Sequence, residues 1–382
     1  MAEKEIYLDN NATTRPYPEV VEAMMKVLGE GFGNPSSSHA TGVRAKKFVE
    51  NARKEVAKIL GCGADNIVFT SSGTESNNMA FYSCFRDCKG KCCIVTSCVE
   101  HSSIKKMCSY LKLNGVEIIE LDACEGGYVN LDELENTLKN KKVSLVSIQW
   151  VNNETGVIQP VEEIGKICRS HGVLYHTDAA QAVGKLSLKL DGMPIDYLSL
   201  TGHKFNSPQG IGAIYCSDKL NLNPIMFGGF QEDHFRPGTE NVPGIVGIGK
   251  ASEIRRKKLK KNISYMTKLR DSFEQKLSEE IRCVSFNGDT ENRVCNTSNV
   301  QFKNVDGRIL KAKLDSVGIR CSQSSACTNS SPDPSYVLLA MGKSAEDAYS
   351  SIRFSFSTFN TMDEVEQTVS QIKKFCRQLR HQ

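Results

Sequence analysis

Between about residues 20 and 250, short apolar runs alternate with longer segments whose apolar residues return every three or four positions. That alternation predicts a mostly parallel sheet covered by helices. The runs Ile67 to Thr70, Cys93 to Thr96, Glu117 to Leu121, Val143 to Trp150, Val173 to Thr177, Tyr197 to Leu200 and Ile211 to Cys216 supply seven candidate strands. Helices fit the intervals. Val43 to Leu60 is one, with Val49, Ala52, Val56, Ile59 and Leu60 near helical spacing and Gly61 placed to end it.

A charged segment from Ala251 to Arg282 keeps sparse apolar positions three to five residues apart and predicts one long connecting helix. Its basic run, Arg255 to Lys258 with Lys260 and Lys261, is read as a solvated helix face rather than a site for an acidic partner. Strands at Ser298 to Phe302 and Ile352 to Phe356, with helices at Arg308 to Ser316 and Asp363 to Leu379, predict a smaller α+β unit. The expected organisation is a large domain over residues 20–250 and a small one built from residues 1–19 and 251–382.

At 382 residues the chain exceeds the length at which one core usually divides, which agrees with two domains. The 48 basic and 44 acidic residues leave a formal charge of +4, a balance that argues against a nucleic-acid surface. Neither a signal-peptide pattern nor a bilayer-length apolar stretch is present, so the expectation is a cytoplasmic protein without membrane contact. Fifteen cysteines without a secretory signal predict free thiols. The densest group, Cys84, Cys88, Cys92, Cys93 and Cys98, lacks a paired C-x2-C spacing and is read as ordinary thiols, not a metal site.

Four strand ends carry candidate chemistry. Lys204, in Thr201-Gly202-His203-Lys204, follows a strand where ligands gather in open α/β sheets. A lysine of depressed pKa can form a Schiff base, and Thr201 and His203 can donate to a phosphate; a surface lysine explains the same letters. Ser71-Ser72-Gly73-Thr74 opens a helix whose free N–H groups suit an anchored phosphate, or is a plain N-capped turn. Asp178 ends a strand and could pair with a pyridinium nitrogen or cap a helix. Asn152 and Asn153 could bind a carboxylate or cap a turn. Together the four suit one anionic, aromatic cofactor.

At this point the chain resembles a known family. Tyr7-Leu8-Asp9-Asn10-Asn11-Ala12-Thr13-Thr14, Gly33-Asn34-Pro35-Ser36-Ser37, Val151 to Gly156, Thr201 to Lys204 and Ser325-Ala326-Cys327-Thr328 are similar, in order and spacing from residue 6 to about 375, to the cysteine desulfurases of the class V aminotransferase group, nitrogen-fixation and iron–sulfur-cluster type. The resemblance implies a type I pyridoxal-phosphate transferase fold in a homodimer with active sites at the subunit interface. Lys204 would be the Schiff-base lysine, His101 would stack on the cofactor ring and move protons, Asp178 would pair with the ring nitrogen, and Gln181 would bond the phenolic oxygen. Gly73, Thr74, Thr201, Gly202 and His203 would hold the phosphate region, with Thr239 reaching across from the second subunit. Asn153 and Arg353 would bind the substrate carboxylate, Arg353 as a bidentate fork.

The implied substrate is L-cysteine. Cys327 would take its sulfur as a persulfide and pass it to an iron–sulfur scaffold or another acceptor, with transient ligation of a cluster by Cys327 also allowed. The segment Cys321 to Pro334, small and polar, is expected to be a mobile loop carrying Cys327. Residue pattern alone does not choose Cys327 over Cys321. Two departures stand out: the family's Ser-Ser-Gly-Ser-Ala-Cys reads Ser322-Gln323-Ser324-Ser325-Ala326-Cys327, and Gly228-Gly229 is followed by Phe230 to Phe235 where the family is often glycine-rich. The competing readings are a selenocysteine lyase or cysteine β-lyase of the same fold, and a non-catalytic thiol or metal-binding scaffold.

Overall fold

The computed structural model describes residues 5–88, 92–323 and 333–380. In chain order the first part comprises β1 (Ile6–Tyr7), α1 (Pro18–Glu30), α2 (Ala40–Leu60), β2 (Ile67–Thr70), α3 (Gly73–Asp87), β3 (Cys93–Ser97), α4 (Ser102–Leu113), β4 (Glu117–Leu121), α5 (Leu131–Asn140), β5 (Leu145–Ser147), α6 (Val161–Ser170), β6 (Leu174–Asp178), β7 (Tyr197–Thr201) and β8 (Gly212–Cys216). Strands β2 to β8 form one seven-stranded sheet in the order β2-β8-β7-β6-β5-β3-β4. β8 runs antiparallel to both its neighbours and the remaining pairs are parallel. All seven predicted strands are present.

Two-residue periodicity sends neighbouring side chains to opposite faces. Ile67 and Phe69 of β2, Val95 of β3 and Ala213 of β8 join one core with α2 and α6, while Val68, Ile94 and Ile214 join a second with α3 and α4. The sheet is therefore helix-covered on both faces, as the alternating pattern predicted. The run expected from Val143 to Trp150 forms a regular strand only over β5. Beyond it Ile148 and Trp150 still donate backbone hydrogen bonds to His176 and Asp178 of β6, at 3.1 and 2.9 Å.

The rest of the chain holds α7 (Val242–Glu280), β9 (Val284–Phe286), β10 (Thr297–Phe302), α8 (Gly307–Ser316), β11 (Ile319–Arg320), α9 (Tyr336–Ala340), α10 (Ala345–Tyr349), β12 (Ser351–Ser355) and α11 (Met362–Arg380). Antiparallel β12-β10-β9 forms a small sheet, and β1 pairs with β11. Leu8, Leu269, Phe273, Val300, Phe354 and Val369 belong to a separate core under this sheet.

The connecting helix starts nine residues before the predicted Ala251. Its early turns carry Gly244, Gly247 and Gly249, which read as helix-breaking in sequence but serve close packing. A Cβ on Gly247 would sit 2.8 Å from Pro208, and one on Gly249 2.6 Å from Ala52. Asn241 caps the start by accepting from the Gly244 N–H. The basic run on this helix is not wholly solvated, contrary to expectation. Arg255 is 1% exposed, its guanidinium donating to Asn206 Oδ1 and the Gly184 carbonyl, because the apolar stripe of α7 turns that position onto the large core.

Candidate active site

The C-terminal ends of β3, β5, β6 and β7, the N-terminus of α3 and one residue of β12 converge on a single cavity. Its lining includes Gly73, Thr74, His101, Asn153, Asp178, Gln181, Thr201, His203, Lys204 and Arg353. These are ten of the residues singled out in sequence, drawn from positions up to 280 residues apart. At the first turn of α3, Ser72 caps the helix by accepting from the Glu75 N–H at 3.2 Å, which leaves the N–H groups of Gly73 and Thr74 facing the cavity at the positive end of the dipole.

Asp178, 7% exposed, is held by two donors. Asn77 Nδ2 reaches Oδ2 at 2.9 Å, and the Ala180 N–H reaches Oδ1 at 2.9 Å. The same Asn77 amide donates to Ser103 Oγ at 2.9 Å, and Ser103 lies 2.9 Å from His101 Nδ1. His101 is also the N-cap of α4, its Nδ1 accepting from the Ser103 N–H at 3.2 Å. One polar chain thus fixes the acidic and imidazole groups relative to each other. A carboxylate keeps further lone-pair directions after two hydrogen bonds, so Asp178 can still accept from a ligand.

Lys204 Nζ donates to the carbonyls of Asn11 and Ala12 at 2.7 and 2.8 Å. Asn11 also receives Gln181 Nε2 on its carbonyl at 3.0 Å and Lys185 Nζ on its side chain at 3.1 Å. Lys185, 2% exposed, donates as well to Gln181 Oε1, which orients the Gln181 amide. Burial pushes the Lys185 amine down to about 7. His203 is pushed down to about 4, first by burial and then by Lys204 and His101, so at neutral pH its imidazole is uncharged.

The two readings of Asn152 and Asn153 divide between them. Asn152 Oδ1 accepts from the N–H groups of Glu154 and Thr155, both at 2.9 Å, and caps the turn. Asn153 lines the cavity, and its buried Oδ1 has no partner among the described residues. Arg353, 1% exposed on β12, donates to the Asn153 carbonyl at 3.0 Å and to Asp9 at 2.7 Å. Glu100, fully buried beside His101, is pushed up to about 8 by burial, against hydrogen bonds from Ser97 and the Gln149 N–H.

Two sequence candidates lie elsewhere and a third falls outside the described residues. Gly202 is packed behind the cavity, where a Cβ would stand 2.6 Å from Ser207 Oγ. Thr239 is absent from the lining; its neighbours Gly238 and Glu240 border a different cavity. Cys327 lies outside the described residues. Cys321 packs in the smaller core, where burial pushes its thiol up to about 12. Asp9, Asn11, Asn77 and Lys185 were not assigned roles in sequence. Helical spacing from Gly73 marks Asn77, and spacing from Gln181 marks Lys185, but Asn11 carries no local signal beyond its motif.

A buried carboxylate, a helix N-terminus, a lysine amine between them and an unpartnered buried amide oxygen fit a phosphorylated pyridine aldehyde. The family model Aminotransferase class-V matches residues 6–368, and the chain belongs to this family of pyridoxal-phosphate enzymes. Among its relatives are the cysteine desulfurase of Trichormus azollae, 42% identical over 98% of this chain and 94% of its own length, and cysteine desulfurase IscS of Dictyoglomus turgidum, 40% identical over 99% and 96%. A solved NifS-like protein superposes with a TM-score of 0.92 at 35% identity, over 98% of this chain and all of that one.

Proposed function

We propose that this chain is a pyridoxal-phosphate-dependent cysteine desulfurase that takes sulfur from L-cysteine, releases L-alanine and holds the sulfur as a persulfide on Cys327. The observation that carries the reading is the Lys204 amine facing one cavity with Asp178, the α3 N-terminus and Arg353. In that cavity Gly73, Thr74, Thr201 and His203 would hold the phosphate, Asp178 would accept from the ring nitrogen, and His101 would lie against the ring. When bound, the cofactor supplies an electron sink for charge developing at the substrate Cα. Lys204 Nζ removes the Cα proton, and Asn153 and Arg353 hold the substrate carboxylate.

The Cys327 thiolate then attacks the substrate sulfur. A sulfur–sulfur bond forms, the carbon–sulfur bond breaks with its electron pair left on carbon, and His101 and Lys204 return protons to give alanine. Reach supports this role for Cys327. Ser322 bonds Asp9, the partner of Arg353, at 2.8 Å, and Ser335 bonds Glu154 at 2.5 Å, so the chain on both sides of residues 324–332 is tied beside the cavity.

The reading includes a homodimer in which Thr239 completes the phosphate site of the second subunit. The exposed apolar stripe Val21, Met25 and Leu28 on α1, with Phe32, Phe227 and Phe230 nearly four-fifths exposed, supports a covered face of that kind. It also includes a cytoplasmic location and delivery of sulfur to an iron–sulfur scaffold. No helix of the described residues is long and apolar enough to cross a membrane.

Incubation of the cofactor-loaded protein with L-cysteine and a thiol reductant, with sulfide, alanine and pyruvate quantified together, tests the proposal. Equal sulfide and alanine, with sulfide lost in Cys327→Ala, are expected. Pyruvate in place of alanine means a β-lyase, and sulfide release undiminished in Cys327→Ala removes the persulfide step.

A further inference from the structure

At the other end of the large sheet, the Sγ atoms of Cys84, Cys88 and Cys92 all lie within 4.8 Å of one another. The sequence conceals this, since the spacing is C-x3-C-x3-C. Positions i and i+4 share a helix face, so Cys84 in the last turn of α3 and Cys88 at its C-cap stack on one side. Cys92 immediately precedes β3 and returns against them. Cys84 is 2% and Cys92 8% exposed, both packed in the core of α3 and α4, while Cys88 is half-buried.

This cluster is distinct from the cofactor cavity. α3 has 15 residues, about 22 Å of helix, and begins at Gly73 in the cavity. β3 has five residues, about 17 Å of strand, and leads away from the trio toward His101.

We propose that Cys84, Cys88 and Cys92 bind one thiophilic d10 cation, zinc or cuprous copper. Thiolate sulfur selects these ions over magnesium, calcium and manganese. A metal–sulfur bond of about 2.3 Å sets the sulfurs roughly 3.8 Å apart in a tetrahedral site, a spacing that the observed limit of 4.8 Å lets side-chain rotation reach. The trio sits at the carbonyl end of α3, where the helix dipole favours positive charge. Half-buried Cys88 leaves a way in from solvent. With no histidine or carboxylate joining the group among the described residues, zinc takes water as its fourth ligand, whereas cuprous copper is complete with three sulfurs. Binding forms the metal–sulfur bonds and releases the thiol protons to solvent, with no change in oxidation state. The ion would tie the end of α3 to the start of β3 and take no part in desulfuration.

The test uses full-length, cofactor-loaded protein, reduced and stripped of metal without oxygen. Zinc and cuprous copper are titrated separately against a chromophoric chelator, and cobalt is used as a spectroscopic substitute. Parent and Cys98→Ser should each retain one ion per chain and show sulfur-to-cobalt charge-transfer absorption. Cys88→Ser and Cys92→Ser should lose that absorption and bind at least roughly 10–100-fold more weakly, the scale set by loss of even an outer-sphere partner. Desulfuration by Cys88→Ser should be unchanged, which also shows that the variant folds. Whichever of the two ions competes better is the one the site takes. Equal retention by parent and Cys88→Ser, no retention against the chelator, or iron with acid-labile sulfide in place of a single d10 ion would overturn the proposal.

Discussion

The seven-stranded and three-stranded sheets contribute to one cavity in different ways. Strands of the large sheet stop at it, and each stop is followed by a turn whose own backbone and neighbours fix the side chain, as Ala180 and Asn77 fix Asp178. The small sheet contributes Arg353 from mid-strand, paired in register with Asn299 of β10 and tied to Asp9 of the N-terminal segment. Groups at strand ends can be exchanged singly, whereas a guanidinium 1% exposed and ion-paired across the molecule is part of the fold's stability as well as of the site.

That contrast can be broken experimentally. Lys204→Ala should lower the rate of alanine formation by roughly 100- to 10,000-fold or more, with an unchanged urea midpoint, because it removes the proposed general base from an exchangeable position. Arg353→Ala should also lose substrate binding, but at a cost to folding of about 3–5 kcal/mol, since Asp9 is left as a mostly buried charge; equilibrium urea unfolding measures it, and Arg353→Ala/Asp9→Ala should recover part. Equal midpoints for Lys204→Ala and Arg353→Ala would erase the distinction. Asn77→Ala should weaken cofactor retention and cost about 1–3 kcal/mol of stability, because Asp178 and Ser103 lose a buried donor.

The smallest effect concerns pH. His176 and His203 are each held near 4, below their ordinary 6.5, so between those values the unfolded chain binds more protons and stability rises with pH. Glu100, raised from 4.5 to about 8, binds its proton in the folded state and acts in the opposite sense, lowering stability as pH rises through that window. Glu100→Gln should therefore gain stability relative to the parent between pH 4.5 and 8, read as a urea midpoint difference that widens with pH. A constant difference would mean that Glu100 keeps its ordinary carboxylate pKa in the folded protein.

The same contrast explains what the sequence disclosed. Strand ends are legible because an apolar run, a polar residue and a small-residue turn occur together, which is how Asp178, Lys204 and the Gly73 turn were found. Arg353 sits inside an unremarkable strand and was reached only through resemblance. Asn77 and Lys185 carry only a spacing signal, four residues from Gly73 and Gln181, and Asn11 acts through partners distant in sequence, so local pattern assigned none of them a role. The cysteine trio escaped because the expected ligand spacing was that of a tight turn, whereas helix pitch brings Cys84 and Cys88 together. The early start of α7 escaped because the helix was expected only where the charged segment begins, whereas its first turns pack through Gly247 and Gly249 against Pro208 and Ala52.

α7 carries a mechanical consequence. It places Ile245, Ile248 and Ile254 in the large core and Leu269, Phe273 and Leu277 in the small one, within 39 residues of continuous helix about 58 Å long. The chain thus passes between the two cores along a stiff rod, with no joint at that crossing. Any swing of one core against the other about that link would therefore have to bend the helix itself.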